Sequence, residues 1–486
     1  MNGIRRLLGA VPIVVLVTIG STLAVPAQAA TATLTCGAVV KKDTTLAADV
    51  GPCTGPGLII AADGITLDLN GHRVVGKLTP MPGQAANASN ASGILFRNTR
   101  GSKVMNGEVT RFSIGVKILR GAGNRVTGMN VHDNIGRGDF DKPEQAGDGI
   151  AIYGSDRNRI DNNRVVHNGS WSGITLLSAV PDSIGSPGSA YNQIVGNTVL
   201  DNNIPMFDEA GTPVDKRDIG IAIEGPGAHH NQIVGNVVNR SGTNGIQVFP
   251  ACSSGYDIST GCPNTVPNDH NVIANNRVNN NGVGAPAEGA LGDGIIVTSM
   301  GPEVVSMPRF TIVANNTTNG NQRNGITLGG GNGQELGTGT WTTGGESYGC
   351  FSFMHDPDDP VVDNPELCGV NDTIVSGNTS SGNGIDGIFI GPRSDRNRIV
   401  QNTTNDNGLD GIGIGLAVAY GPGQLPMLDP QGNLIFIPGS GGHDNVLTQN
   451  TAKGNARWDG FDQNPGCDNN NWFQNFFVTV NRPCVK

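Results

Sequence analysis

The chain has 486 residues, 73 of them glycine, with 15% charged and 5% aromatic residues and a formal net charge of −10. Isoleucine and valine recur at strict spacing, which excludes a disordered chain. No basic patch interleaved with aromatics appears, which argues against nucleic acid as a partner.

In chain order, the first segment reads as an address. Arg5 and Arg6 open it, residues 7–25 are mostly apolar, and Ala27-Gln28-Ala29 is a small-x-small cleavage site. Residues 1–29 are therefore expected to be a signal peptide and 30–486 a single mature domain, secreted or held in the cell envelope. The apolar run is broken by Pro12, Gly20 and Pro26, which disfavours an uncleaved membrane anchor. Paired arginines suggest the twin-arginine route.

From residue 58 a solenoid begins. The stretch Leu58-Ile-Ile-Ala-Ala-Asp-Gly-Ile-Thr-Leu-Asp-Leu-Asn-Gly-His72 starts a stack. Then a phrase recurs: Asn158-Arg-Ile-Asp-Asn-Asn-Arg-Val-Val-His-Asn168, followed by Gly173-Ile174-Thr175-Leu176. It returns at 192–202 with Gly220-Ile221, from Asn231 with Gly245-Ile246, and at 397–407 with Gly411-Ile412. Further Gly-Ile phrases sit at Gly93, Gly149, Gly294, Gly325 and Gly387, with degenerate copies near Gly115 and Gly460. The shortest separations, about 22 to 25 residues, fit one coil of an all-β solenoid of roughly 10–12 coils. Ile150 and Ile152 should point into a shared core and Ala151 outward. Asparagine at the bends tolerates left-handed backbone, and stacked copies would form a hydrogen-bonded ladder. Trp458, Phe461, Trp472, Phe473, Phe476 and Phe477 gather near the end, where they would plug the core or contact sugar.

Eight cysteines fit an oxidising compartment. Coils advance about 4.8 Å each, and a disulfide needs Cα atoms within roughly 4.4–6.8 Å. Sequence neighbours are thus expected to pair: Cys36–Cys53, Cys252–Cys262, Cys350–Cys368 and Cys467–Cys484. The metal-thiolate alternative lacks a Cys-x-x-Cys pair.

The 63–72 stretch and the Asn-x-Ile-x-x-Asn…Gly-Ile-x-Ile coils resemble the right-handed parallel β-helix (pectate-lyase-like) superfamily. More narrowly they look like secreted bacterial repeat proteins of the NosD and carbohydrate-binding-and-sugar-hydrolase type. The resemblance implies a right-handed single-stranded parallel β-helix with capped ends. It also implies a cleft for polysaccharide, handled by lyase, hydrolase or epimerase chemistry. The polygalacturonase-like set and the epimerase Asp-Pro-His do not occur; His355-Asp356-Pro357 runs in the wrong order.

Insertions fall at two places only. Those before the Gly-Ile strand are 133–147, 203–218 and 280–292; those after it are 178–191, 249–268, 299–308, 329–370 and 416–442. Insertions held to fixed corners map to a binding face. The first carries Asp141, Lys142, Glu144 and Asp148; the second carries Asp208, Glu209, Lys216, Arg217 and Asp218. Two coils apart, about 9.6 Å, they would wall a groove floored by Trp171, with Tyr153 and Glu224 as further substrate contacts. For a lyase, Lys142, Lys216 or Arg217 would take the α-proton while Asp148, Asp208 and Asp218 hold Ca2+. For a hydrolase, Asp141 or Glu144 would face Asp208 or Glu209. The alternative is that both loops are solvated and internally paired.

Asp148, Asp293, Asp386, Asp410 and Asp459 each precede Gly-Ile or its degenerate copy. Asp386 and Asp410 should stack on adjacent coils, where like charges call for a cation unless turn chemistry alone explains them. His355, Asp356, Asp358, Asp359 and Asp363 form an acidic stretch that reads as an exposed loop or a Ca2+ site. His229-His230 is the only histidine pair; copper handling would want clustered His or Met, which the sequence does not display. The function expected is a secreted, monomeric, polysaccharide-active enzyme, or else a non-catalytic carbohydrate-binding protein. Ca2+ is the one cofactor implied.

Overall fold

The computed structural model describes residues 30–77, 91–136, 147–178, 189–204, 206–207, 213–215, 218–225, 227–249, 267–283, 292–298, 308–329, 369–416, 429–431, 433, 435–436 and 440–486. Nearly all regular structure in them is short parallel strand. Each coil contributes one strand to a Gly-Ile sheet and one or two to an Asn sheet. One coil, for example, runs through Ile150–Tyr153, Arg159–Asp161 and Arg164–Val166 before Ser172–Leu177 opens the next. Among the described residues the Gly-Ile sheet has 13 strands, from Ala38–Val40 to Trp458–Asp462. That exceeds the roughly 10–12 coils expected because Ala38–Val40 and Leu58–Ile60 precede the first Gly-Ile phrase.

Register is unbroken along the stack. Ile150 lies beside Ile174, which lies beside Ile221, then Ile246, Ile295, Ile326, Ile388 and Ile412. All of these are fully buried in one continuous core. The glycine before each isoleucine is sterically required. A Cβ on Gly149 would stand 2.6 Å from both the Gly173 carbonyl oxygen and Val165 Cγ1, closer than any side chain tolerates.

The asparagine ladders form, and their detail corrects the expected reason. Asn163 donates its backbone N–H and its Nδ2 to Asn197 Oδ1, both at 3.0 Å, and Nδ2 also to the Val126 carbonyl at 3.0 Å. The pattern runs through nine asparagines, Asn163 to Asn475. The left-handed residue is the one before the ladder asparagine: Arg157, Asn162 and His167 have φ of 55–57°, while Asn158, Asn163 and Asn168 follow them. Asparagine is selected because it satisfies buried backbone groups on two coils at once, not because it relieves backbone strain.

The ends are closed as expected. Cys36–Cys53 and Cys467–Cys484 are bonded, with Cα separations of 5.5 and 6.3 Å; Cys252–Cys262 and Cys350–Cys368 lie outside the described residues. Trp472 is buried against Phe477 and donates Nε1 to Asp462 Oδ2 at 3.0 Å. Phe473 and Phe476 are exposed, so the aromatic plug is only partial. Among the described residues no helix is long and apolar enough to cross a membrane.

Candidate functional site

Part of the outer face of the Gly-Ile sheet is buried. Lys117, Ala151, Thr175, Ala222 and Gln247 share one outward row, and all are buried. A small apolar cluster of Ile114, Ala151, Tyr153 and Leu177 sits there, separate from the main core.

Into this face the fold sets a compact polar group. Asp148 stands just before the strand Ile150–Tyr153, and Tyr153 at its end. The Tyr153 side chain runs back over small Ala151, and its hydroxyl donates to Asp148 Oδ2 at 2.7 Å. Thr175, one coil on, donates Oγ1–H to Asp148 Oδ1 at 2.6 Å. From the preceding coil, Lys117 Nζ lies 4.8 Å from the Tyr153 ring centroid. Burial pushes the Asp148 carboxyl up to about 6, against the hydroxyls and the Lys117 charge that pull it down. A neighbouring pair follows the same plan: Trp171 Nε1 donates to Glu224 Oε2 at 3.2 Å, and Glu224 is buried. Two carboxylates on one sheet face thus each accept from the polar tip of an aromatic side chain.

The structure therefore joins four of the residues singled out from sequence into two pairs, Asp148 with Tyr153 and Trp171 with Glu224. Asp218 is fully buried and its carbonyl accepts the Thr243 N–H. Asp141, Lys142, Glu144, Asp208, Glu209, Lys216 and Arg217 lie outside the described residues, as do His355, Asp356, Asp358, Asp359 and Asp363. Both Asp148 oxygens accept hydroxyl hydrogen bonds, from Tyr153 and Thr175. Sequence reasoning missed Lys117 and Thr175. The available signal was the middle position of Gly-x-x-Ile phrases, where Gly115-Val-Lys-Ile carries a charge.

Asp386 and Asp410 do stack on adjacent coils, but they belong to another ladder. Asn244, Asp293, Asn324, Asp386 and Asp410 each accept the backbone N–H of the equivalent residue one coil on, at 2.8–3.1 Å. Arg457 supplies the positive charge at Asp410, the role expected of a cation. Asp459 drops out of this row, because Trp458 takes the place beside Asp410. Instead Asp459 Oδ2 accepts the Val478 and Thr479 amides at 2.9 Å each.

Residues 62–259 match the family model described as the right handed beta helix region. The chain is a right-handed parallel β-helix. No curated protein matches its sequence. Solved structures similar to this β-helix include the A-module of Azotobacter vinelandii mannuronan C-5 epimerase AlgE4, at 12% identity over 88% of each chain with a TM-score of 0.44. The Dettilon tailspike protein is 15% identical over 90% of this chain and 60% of its own, with a TM-score of 0.42. Pectate lyase Pel9A is 13% identical over 74% and 69%, with a TM-score of 0.36. These scores are too low to carry any argument about activity.

Proposed function

We propose that this β-helix is an exported protein that binds a polysaccharide along the outer face of its Gly-Ile sheet, and that Asp148 and Tyr153 move a proton there. The observation that carries the reading is the Asp148 carboxyl, held near neutrality by burial and bonded to a phenol. Groups whose protonation balances near the working pH serve best as general acids and bases. Tyr153 as base would take a proton from a carbon beside a uronate carboxylate while its own proton passes to Asp148. The Lys117 ammonium over the ring would stabilise negative charge growing on the phenol oxygen. That is lyase-type or epimerase-type chemistry. A hydrolase would use Asp148 as acid and need a second carboxylate across the sugar, for which Glu224 is the nearest candidate in the group. Export is supported by the leader-like residues 1–29 and by the two bonded cysteine pairs. Monomeric assembly and a Ca2+ requirement are parts of the same proposal.

The test is a panel of neutral and uronate polysaccharides assayed for new reducing ends and for unsaturated uronate absorbance. An active substrate with the wild type, and lost product with retained binding in Tyr153→Phe, supports the assignment. Product formation unchanged in Tyr153→Phe and Asp148→Asn would remove the pair from the chemistry. A second reading, binding without catalysis, is favoured by the burial of the group: Asp148 is 0% and Tyr153 1% exposed. Under it, wild type and both variants bind one polysaccharide equally and none yields product.

A further inference from the structure

One corner of the coil carries a column of side chains outside the core. It is built from the left-handed residues that precede a buried asparagine or threonine: Arg157, Tyr191, His230, His270 and Phe310. Coil spacing of about 4.8 Å matches the separation of stacked rings, so the rings pile up. Tyr191 and His230 stack at 4.9 Å and His230 and His270 at 4.7 Å, and the Phe310 ring lies tilted 5.0 Å from His270. His229 meets both Tyr191 and His230 edge-on, at 5.4 and 5.0 Å. The sequence shows one histidine pair; the fold adds His270 and Asp269 from the next coil.

We propose that His229, His230 and Asp269 form a binding site for one divalent first-row transition ion of the nickel and copper class. The two histidine Nδ1 atoms lie 2.8 Å apart, and one ligand atom from each of the three residues falls within 4.8 Å of the others. With metal–nitrogen bonds of about 2.0–2.1 Å, a 2.8 Å chord subtends about 86°. That is the cis angle of a square-planar or octahedral ion. A tetrahedral ion such as Zn2+ would need the nitrogens about 3.3 Å apart at the same bond length. Imidazole nitrogen with one carboxylate oxygen suits Ni2+ and Cu2+ and is a poor set for Ca2+.

The site is held ready before any ion arrives. Stacking between Tyr191 and His270 fixes the His230 ring. Backbone hydrogen bonds from Tyr191 N–H to the His229 carbonyl, at 3.1 Å, and from His230 N–H to the Asp269 carbonyl, at 3.0 Å, lock three coils together. His270 Nδ1 lies 3.2 Å from Asp269 Oδ1, and that contact orients the carboxylate.

The experiment titrates the full exported chain, without a histidine tag, with Ni2+ alone and Cu2+ alone by calorimetry, and records the electron paramagnetic resonance of the Cu2+ form. One ion per chain is expected, with a tetragonal copper signal coupled to two nitrogens. His230→Phe keeps a ring in the column, as Phe310 does at its end. It should weaken binding at least about 100-fold, the upper end of what losing even a residue that only orients a ligand costs. Asp269→Asn, which preserves the backbone contacts, should weaken it as well, and His443→Ala should leave it unchanged. No saturable binding, or affinity unmoved by both His230→Phe and Asp269→Asn, overturns the proposal. These readouts do not involve carbohydrate, so they stand or fall apart from the reading of the outer sheet face.

Discussion

Asp148→Asn should stabilise this protein at neutral pH. The carboxyl is fully buried, and its pKa is raised from 3.8 to about 6, so the native state holds its proton more tightly than the unfolded chain does. The stability this gives is fully present below the unfolded value and is lost as pH rises through about 6. A carboxyl carried from 3.8 to about 6 is worth about 3 kcal/mol. Asparagine mimics the protonated acid. The hydroxyls of Tyr153 and Thr175 can accept as well as donate, so both contacts survive, and asparagine already occupies the same row at Asn244 and Asn324. Denaturant unfolding of both proteins from pH 4 to 8, followed by the fluorescence of neighbouring Trp171, measures the difference. It should be near zero at pH 4, grow through pH 4–6, and level at about 3 kcal/mol in favour of the variant. A difference that does not vary with pH, or a variant less stable at pH 8, refutes the burial argument.

Further outcomes follow from the same contacts. Tyr153→Phe deletes a 2.7 Å donor to a buried carboxylate; it should cost about 1–3 kcal/mol at pH 7 and move the loss of stability that accompanies Asp148 ionisation to higher pH. Asn197→Ala takes the acceptor from Asn163 N–H and Nδ2 and the donor from the Ile160 carbonyl; a loss of at least about 3 kcal/mol is expected, seen as early hydrogen exchange in the coils on either side. Gly149→Ala forces a Cβ against backbone at 2.6 Å and should reduce soluble yield or cost about 3 kcal/mol. Arg125→Ala removes a two-point contact at 2.7 and 2.6 Å to buried Asp161. Burial raises that carboxyl but the Arg125 hydrogen bond and charge outweigh it, leaving its pKa lowered. The penalty, about 1–3 kcal/mol at pH 7, should fade as pH falls below the ordinary carboxylate range.

The repeat made the fold legible because each coil repeats the same demands. Isoleucine at alternate positions must fill a core that is one residue deep on each side, and glycine must precede it where two backbones approach. Asparagine must close the corner by bonding two coils. Sequence period therefore maps directly onto stack position, and even the end disulfides Cys36–Cys53 and Cys467–Cys484 could be read from axial rise alone. The polar group around Asp148 was only half legible. Asp148 and Tyr153 stand five residues apart on one coil, but Lys117 and Thr175 lie on the coils before and behind, outside any local motif. The charged insertions drew attention by composition, whereas these contacts arise mainly on the strands of the Gly-Ile sheet. Asp386 and Asp410 show the opposite error: their stacking was legible, but Arg457, which relieves it, lies 47 residues from Asp410.

The corner column shows how a solenoid creates ligand sets that sequence does not advertise. His230 and His270 are forty residues apart, yet 4.7 Å separates their rings because each precedes a ladder asparagine on adjacent coils. The left-handed residue at this corner lies outside the core, exposed or half-buried, so its identity varies: Arg157, Tyr191, His230, His270, Phe310, Asp372 and Arg396 are among those that occupy it. The buried ladder fixes their spacing and leaves their chemistry open. Any two of them on neighbouring coils are held at roughly contact distance by asparagines that neither residue touches. The core thus supplies the rigidity and the variable corner supplies the chemistry. A histidine pair next to one of those asparagines can then act as half of a metal-binding set, with the other half supplied by whatever the following coil places beneath it.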